Sequence, residues 1–144
     1  MCLAVLKDGE RYFLRENNAD LSLYDEIEGV AVIAGGKQFI IKLHNEQTGT
    51  VTVDAAMNLY HDILPDKDQA EIISLKSSDI NSALTKFGGN EFSNYSGNNY
   101  GGINYLTKSS YDSSQNYIIN LYRGCGGYLY WDTYGYIRGI KVFN

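Results

Sequence analysis

The segment PDKDQAEIISLKSSDINSALTKFGG, residues 65–89, decides the fold class because it predicts helices in the middle of the chain. Pro65 suits a helix start, and Asp66 and Asp68 would lie beside the positive end of the helix dipole. We therefore expect a helix over residues 67–77. Its core-facing side chains are expected to be Ile72, Ile73 and Leu75.

A further helix is expected over residues 78–89, with Ser78 or Asp79 as its N-cap and Gly88-Gly89 as its stop. Its apolar stripe is expected to be Ile80, Leu84 and Phe87. On the N-terminal side, residues 54–63 predict another helix that begins at Asp54. The chain therefore has two to three central helices.

Strands are expected on both sides of these helices. Residues 1–16 predict a hairpin because Asp-Gly separates two apolar runs, and the polar residues 16–28 are expected to be irregular. Residues 29–43 predict a second hairpin around Gly-Gly, which residues 48–53 extend as a short strand. Three C-terminal antiparallel strands are expected at residues 116–122, 127–132 and 135–143. This order predicts one α+β domain over residues 1–144.

The overall charge of the chain limits which kinds of partner are expected. The chain of 144 residues has a formal net charge of -5, which argues against nucleic acid and anionic membrane surfaces. No apolar run approaches the roughly 20 residues of a membrane span. The N-terminus has no basic residues before a short apolar stretch, so it does not predict a signal peptide. We therefore expect a virion-associated or cytoplasmic protein rather than a classically secreted one, with no membrane insertion.

The C-terminal third has a different composition from the rest. Residues 1–92 have 15 acidic and 8 basic side chains, whereas residues 93–144 have 2 acidic and 4 basic ones. Of the 13 tyrosines, 10 lie between Tyr95 and Tyr136. Residues 94–117 consist almost entirely of Tyr, Asn, Ser, Gly and Asp. This alphabet is typical of antibody-like binding surfaces, in which tyrosine gives contact area and Ser and Asn give adaptable hydrogen bonds.

The sequence contains few candidate catalytic or metal-binding residues. His44 and His61 are interpreted as solvated or capping side chains, and no zinc-protease, Cys-x-x-Cys or phosphate-loop motif is present. Removal of Met1 would expose Cys2 as an N-terminal nucleophile, but nothing else supports a hydrolase. Cys2 and Cys125 are expected to be free thiols. No cofactor, no calcium and no catalysis are predicted.

Two-residue alternation suggests which side chains are displayed. In residues 116–122, Ile118, Asn120 and Tyr122 share one face of the strand, which we expect to point outward. Tyr117 and Tyr136 are instead expected to cover the core. Residues 94–102 are interpreted as a connecting loop and residues 103–110 as scaffold. The predicted ligand-binding residues are Tyr111, Ser113, Asn116, Ile118, Asn120, Tyr122, Arg123, Tyr128, Tyr130 and Asp132.

Three groups of residues, in order, resemble a known family. They are Leu64-Pro65 with Glu71-Ile72-Ile73, then Tyr105–Tyr111, then Tyr136–Ile140 with Phe143. This pattern, over residues 29–143, resembles bacterial and phage C-type-lectin-fold domains related to the formylglycine-generating enzyme. Several such domains are similar to the variable proteins of diversity-generating retroelements, whose asparagine-type codons are rewritten during reverse transcription.

The resemblance implies a C-type-lectin-like fold whose C-terminal sheet face binds a protein or glycan on a cell surface, as phage receptor-binding proteins do. The chain departs from the family pattern at Ala70 and Leu106, where tryptophan is usual, and at Gly139 and Lys141. The paired cysteines of the enzyme have no match, so the resemblance does not imply its activity. The alternative is a structural virion or appendage subunit whose tyrosine-rich sheet packs in a homo-oligomer.

Overall fold

The computed structural model describes residues 2–8, 11–15, 26–93, 103–121, 124–130 and 134–142, with the backbone alone for β2, for β8 and for residues 4, 6–8 and 26. The strands are β1 Cys2–Asp8, β2 Arg11–Arg15, β3 Glu26–Ala34, β4 Lys37–Lys42, β5 Val51–Thr52, β6 Tyr105–Ser110, β7 Gln115–Asn120, β8 Gly124–Tyr130, β9 Tyr134–Gly135 and β10 Ile140–Val142. The α-helices are α1 Val53–Tyr60, α2 Lys67–Leu75 and α3 Ser77–Lys86. Helices lie between strands along the chain and the sheets are antiparallel, so the α+β class is confirmed.

The described residues form two compact units. The first contains a five-stranded sheet in the order β10-β4-β3-β1-β2, together with α3. The second contains α1, α2, the β6-β7-β8 sheet and the β5-β9 pair. The expectation of a single domain over residues 1–144 stays a prediction.

Both predicted hairpins are present in the first unit. β1 pairs with β2, and β3 pairs with β4 through a turn in which Gly35 and Gly36 have φ of 58° and 76°. A two-residue turn with positive φ at both positions matches the twist of the flanking strands. β3 begins at Glu26, which pairs with Lys7, so the expectation that residues 26–28 are irregular is wrong.

Helix α3 ends at its glycines as predicted. Gly88 has φ of +85°, and the Gly89 N–H donates to the carbonyl of Leu84 at 2.7 Å. This is the Schellman arrangement, in which a left-handed residue lets the chain reverse. The helix begins at Ser77, so Ser78 and Asp79 lie inside its first turn and the expectation that one of them is the N-cap is wrong. Its predicted apolar stripe is buried: Ile80, Leu84 and Phe87.

The second unit contains an apolar core. The core residues are Val53, Ala56, Leu64, Leu106, Ile118 and Ile137. α2 packs on all three strands of the β6-β7-β8 sheet. Ile73 of α2 is fully buried. Leu75 is 74% exposed, so the expectation that Leu75 faces the core is wrong.

Two further expectations in this unit need correction. Thr52 rather than Asp54 caps α1, because its hydroxyl accepts a hydrogen bond from the Ala55 N–H at 3.1 Å. The strand expected at residues 48–53 shrinks to β5, which pairs with β9 instead of extending the second hairpin. The strand expected at residues 135–143 is interrupted, because β9 pairs with β5 and β10 pairs with β4.

Candidate binding surface

An exposed turn connects β6 and β7 at residues 111–114. The backbone N–H groups of Tyr111 and Asp112 both donate to the carbonyl of Gln115, at 3.0 and 3.3 Å. Oδ1 of Asp112 in turn accepts hydrogen bonds from the Ser114 N–H at 2.8 Å and from its hydroxyl at 3.1 Å. An aspartate that bonds the backbone two residues on is a standard way to fix a turn. The turn is therefore exposed and held in one conformation.

The ring of Tyr111 is the large apolar group of this turn. It is 48% exposed, and it lies perpendicular to the ring of Tyr117 with centroids 5.5 Å apart. Edge-to-face tyrosine pairs of this kind are favourable beyond their buried area. The contact orients Tyr111 while leaving about half of it available to a ligand.

Lys67, at the start of α2, completes this surface. Its Nζ lies 5.0 Å from the centroid of the Tyr117 ring, and its backbone N–H donates to Ser109 Oγ at 2.8 Å. α2 is fixed at this end by a capping box between Asp66 and Gln69. The pattern of the helix start indicated only a first-turn position for Lys67, so sequence reasoning missed it. We call the set Lys67, Tyr111, Asp112, Ser113, Ser114 and Tyr117 the turn surface.

A small cavity lies beside the turn surface. Its lining is Lys67, Ala70, Glu71, Tyr117 and Ile118, and its volume is about 10 Å³. That volume holds about one water molecule. Ala70 stands where the resembling family commonly has tryptophan, and its small side chain leaves this space. The interior of the cavity is therefore too small for a ligand larger than water.

Three predicted binding residues on β7 are buried. The exposed fractions are 1% for Asn116, 5% for Ile118 and 1% for Asn120. β7 is the middle strand of its sheet, and Ile118 belongs to the core described above. The expectation that this face points outward is therefore wrong, and these side chains are not displayed.

The two buried asparagines bind other parts of the protein. Asn116 Nδ2 donates to the carbonyl of Thr107 at 2.5 Å, and Asn120 Nδ2 donates to Asn104 Oδ1 at 2.7 Å. The Thr107 hydroxyl donates to the carbonyl of Tyr117 at 2.8 Å. A buried donor that finds an acceptor stabilises a fold, and the Nδ2 of each asparagine does so, whereas the Oδ1 of Asn116 is buried without a hydrogen-bond partner. These residues hold the sheet beneath the turn surface.

The other predicted binding residues divide into three groups. Tyr111 and Ser113 are exposed, and their contact with a ligand stays a prediction. The backbones of Tyr128 and Tyr130 lie on β8, opposite Tyr117 and Gln115 of β7. The residues that lie outside the described part of the chain are Tyr122, Arg123 and Asp132.

Arg138, from the family-like segment near the C-terminus, is 2% exposed. Its Nε donates to Asn45 Oδ1 at 3.0 Å, and its guanidinium lies 4.9 Å from the centroid of the Phe92 ring. Burial lowers the pKa of Arg138 to about 10, against opposing effects of Tyr105 and Glu46. A side chain buried so completely is structural and is unavailable to a ligand.

Gly139, which departs from the family pattern, is explained by its neighbour. A Cβ at this position would collide with the Glu46 carboxylate and press on Ile63. The Glu46 N–H donates to the carbonyl of Ile137 at 2.9 Å, which fixes the two segments against each other. The nearest obstacle is the end of the flexible Glu46 side chain, so a larger residue at this position requires the carboxylate to shift.

The two histidines are exposed. His44 Nδ1 lies 3.1 Å from Asn90 Oδ1, and His61 Nδ1 lies 3.5 Å from Asp62 Oδ1. Within the described ranges, no three His, Cys, Asp or Glu side chains form a group that would hold a metal ion. Among the described helices, none has the length and apolar character needed to cross a membrane.

Comparison with protein-family models, with curated proteins and with solved structures finds no match to this chain. The C-type-lectin-like assignment therefore depends on the order and spacing of the motifs given above. The local geometry of the turn surface does not depend on that assignment.

Proposed function

We propose that this chain is a non-catalytic binding protein that displays the turn surface to a macromolecular ligand. The observation that supports this most directly is Tyr111, half-exposed on a turn that is closed by its own hydrogen bonds. Tyrosine provides a large contact area with few rotatable bonds to immobilise, and neighbouring serines provide adaptable hydrogen bonds. Because the turn is already ordered, little conformational entropy is lost on binding.

The proposal includes the C-type-lectin-like fold and a similarity to retroelement-diversified receptor-binding proteins of phages or bacteria. The Tyr, Asn, Ser, Gly and Asp alphabet of residues 94–117 supports it, because asparagine-type codons mutate to these residues. The burial of Asn116 and Asn120 restricts which positions could be diversified, because buried positions cannot vary freely. The diversified contacts would therefore centre on the turn and not on β7.

Binding to intact bacterial cells tests the display function. Fluorescently labelled protein is incubated with a panel of bacterial strains, and cell-associated fluorescence is measured by flow cytometry. Tyr111→Ala is expected to weaken binding at least about tenfold, as loss of an interface hot spot does. Tyr134→Ala is the matched control, because Tyr134 is 61% exposed but lies on β9. Equal binding of the Tyr111→Ala protein and the wild type would rule out the display function.

The neighbouring DNA tests the retroelement part separately. A diversified protein should be encoded beside a reverse transcriptase and a near-identical template repeat that differs only at adenines. If no such repeat accompanies the gene, the C-type-lectin-like resemblance stands without diversification. In either case the cell-binding experiment still tests whether the turn surface binds a ligand.

The alternative function is a structural subunit of a virion or appendage. It is favoured by the exposure of both Tyr111 and Tyr134, because large exposed aromatic rings are often covered in assemblies. Sedimentation velocity distinguishes the two functions. A structural subunit should form a defined oligomer that Tyr111→Ala or Tyr134→Ala dissociates, whereas a display protein should keep its sedimentation coefficient when Tyr111 is replaced.

A further inference from the structure

We propose that β8 pairs with β8 of a second copy of this chain, so that two three-stranded sheets join in a symmetric dimer. In the described part of the chain, β8 is an outer strand of the β6-β7-β8 sheet. The N–H and C=O groups on the open side of an outer strand are a template for a further strand. This inference does not depend on the display function, because the pairing uses backbone groups of β8.

The hydrogen bonds of β7 show which backbone groups of β8 point away from the sheet. The carbonyl of Gln115 accepts from the turn that follows β6, and the carbonyl of Tyr117 accepts from the Thr107 hydroxyl on β6. Both residues therefore direct their backbone groups towards β6. Tyr130 and Tyr128 lie opposite them on β8, which places them in the pairs that exchange no backbone hydrogen bonds with β7. The N–H and C=O groups of Tyr128 and Tyr130 consequently point to the open side of β8.

These outward groups are self-complementary. When two copies of β8 run antiparallel with Leu129 at the two-fold axis, Tyr128 of each copy lies opposite Tyr130 of the partner subunit. Residues in such positions exchange both of their N–H···O=C bonds. Leu129 needs no bond across the axis, because it lies opposite Asn116 and its own backbone groups face β7. One register therefore satisfies all the outward groups of Tyr128 and Tyr130.

The sequence of β8 favours a second copy as the partner. The segment GCGGYLY has no Lys, Arg, Asp or Glu, so a two-fold axis brings no like charges together along the strand. The register with β7 is regular over residues 127–130 and shifts only between Ile118 and Asn120. The outward groups thus lie on the straight part of the strand. A straight outer strand without charges lacks the usual protection against pairing.

The other outer strands of the two larger sheets are protected. On the outer side of β6, the Leu106 N–H donates to the Tyr136 carbonyl at 2.9 Å. The Lys108 N–H donates to the Pro65 carbonyl at 2.9 Å as well. In the five-stranded sheet, β2 has an arginine at each end, and β10 has only 3 residues, one of them Lys141. Charge and short length are common protections of a sheet edge. Among the described outer strands of these sheets, β8 has neither.

Amide hydrogen exchange, followed by nuclear magnetic resonance on the full chain, tests the pairing without any substitution. The amides of Tyr128 and Tyr130 face solvent in a monomer and are bonded in the dimer. Raising the protein concentration from about 20 µM to about 1 mM should therefore slow their exchange at least about fivefold. The amides of Gly127 and Leu129 face β7 in both states, so they are the internal control and their rates should change much less.

Two substitutions of Tyr128 separate its backbone from its ring. Tyr128→Pro removes the outward N–H, and an outer strand tolerates proline where the N–H faces solvent. Tyr128→Ala removes the ring and keeps the N–H. Sedimentation velocity over the same concentrations should show a monomer–dimer equilibrium for the wild type and for Tyr128→Ala. The dissociation constant of Tyr128→Pro should be at least about tenfold higher. Circular dichroism verifies folding, and the exchange measurement decides alone if the proline variant does not fold.

Exchange rates at Tyr128 and Tyr130 that do not change with concentration would overturn the proposal. A wild-type chain that sediments as a monomer at about 1 mM would overturn it too. A dimer that Tyr128→Pro leaves intact, or that Tyr134→Ala dissociates, would place the contact on another surface and so contradict the pairing of β8. None of these results bears on the display function, which is decided by cell binding of Tyr111→Ala.

Discussion

Asn116 on β7 holds the backbone of β6 through a 2.5 Å hydrogen bond from its Nδ2 to the carbonyl of Thr107. The bond lies in the stretch where the regular register of β6 and β7 shifts, between Leu106 and Ser110. A shifted stretch leaves backbone groups without their ladder partners. The asparagine side chain supplies one such partner and so sets the strand that leads into the turn surface.

Replacing Asn116 is therefore expected to destabilise the protein. Asn116→Ala leaves the buried Thr107 carbonyl without this donor, at a cost of about 1–3 kcal/mol in the free energy of unfolding. Urea denaturation followed by circular dichroism measures it. Ser113→Ala, in the exposed turn, should stay within about 0.5 kcal/mol of the wild type. Equal urea midpoints for Asn116→Ala and the wild type would show that the Asn116 side chain does not stabilise β6.

Asn120 should behave as a structural residue as well. Asn120→Ala removes the 2.7 Å hydrogen bond to Asn104 from a side chain that is 1% exposed, so a loss of about 1–2 kcal/mol is expected. Thermal denaturation of Asn120→Ala beside Asn58→Ala gives the comparison, because Asn58 is exposed on α1. If the melting temperatures of both variants equal that of the wild type, Asn120 has no structural role.

The space around Gly139 yields a double-mutant prediction. Gly139→Ala should lower the free energy of unfolding by about 1 kcal/mol, because its Cβ would displace the Glu46 carboxylate. In a Glu46→Ala background the same change should cost less, with a coupling of at least about 0.5 kcal/mol. Denaturant unfolding of the four proteins measures the coupling. Additive effects would show that Glu46 is not the obstacle.

Arg138 is expected to tolerate neither loss of charge nor loss of shape. Arg138→Lys keeps the charge but loses the Nε–H donor to Asn45 and the planar face over Phe92, at about 1–3 kcal/mol. Arg138→Met also removes the positive charge near Glu46 and should cost more, about 3 kcal/mol. Urea midpoints should therefore fall in the order wild type, lysine, methionine. A lysine variant as stable as the wild type would show that charge alone matters.

Local signals were sufficient to predict much of the secondary structure. Gly35-Gly36 specified a hairpin turn, and the glycine pair after Phe87 specified a helix end. These features depend on a few consecutive residues, so sequence alone determines them. β5 is different, because its two residues are ordered by pairing with β9, far along the chain. No local pattern encodes that partner.

The binding surface was only partly predictable for a similar reason. Tyr111 and Ser113 follow a strand and lie in a polar turn, and they are exposed as expected. For Asn116 and Asn120, alternation identified a shared face but could not show that the rest of the protein covers it. Polarity predicts an outward-facing side chain, whereas these amides are buried and their Nδ2 atoms donate hydrogen bonds within the protein. Lys67 was missed because α2 is remote in sequence from the tyrosine that it contacts.

The two hydrogen bonds that converge on the Gln115 carbonyl have a consequence for engineering. They come from the backbone N–H groups of residues 111 and 112, so substitutions at positions 111 and 113 other than proline do not remove them. Those two positions can then be randomised in a library while Asp112 and Ser114 are kept, with most members retaining the parental loop. Randomising position 116 in the same library would instead discard many members through misfolding. Selection experiments on this scaffold should therefore begin with two codons rather than with the whole tyrosine-rich segment.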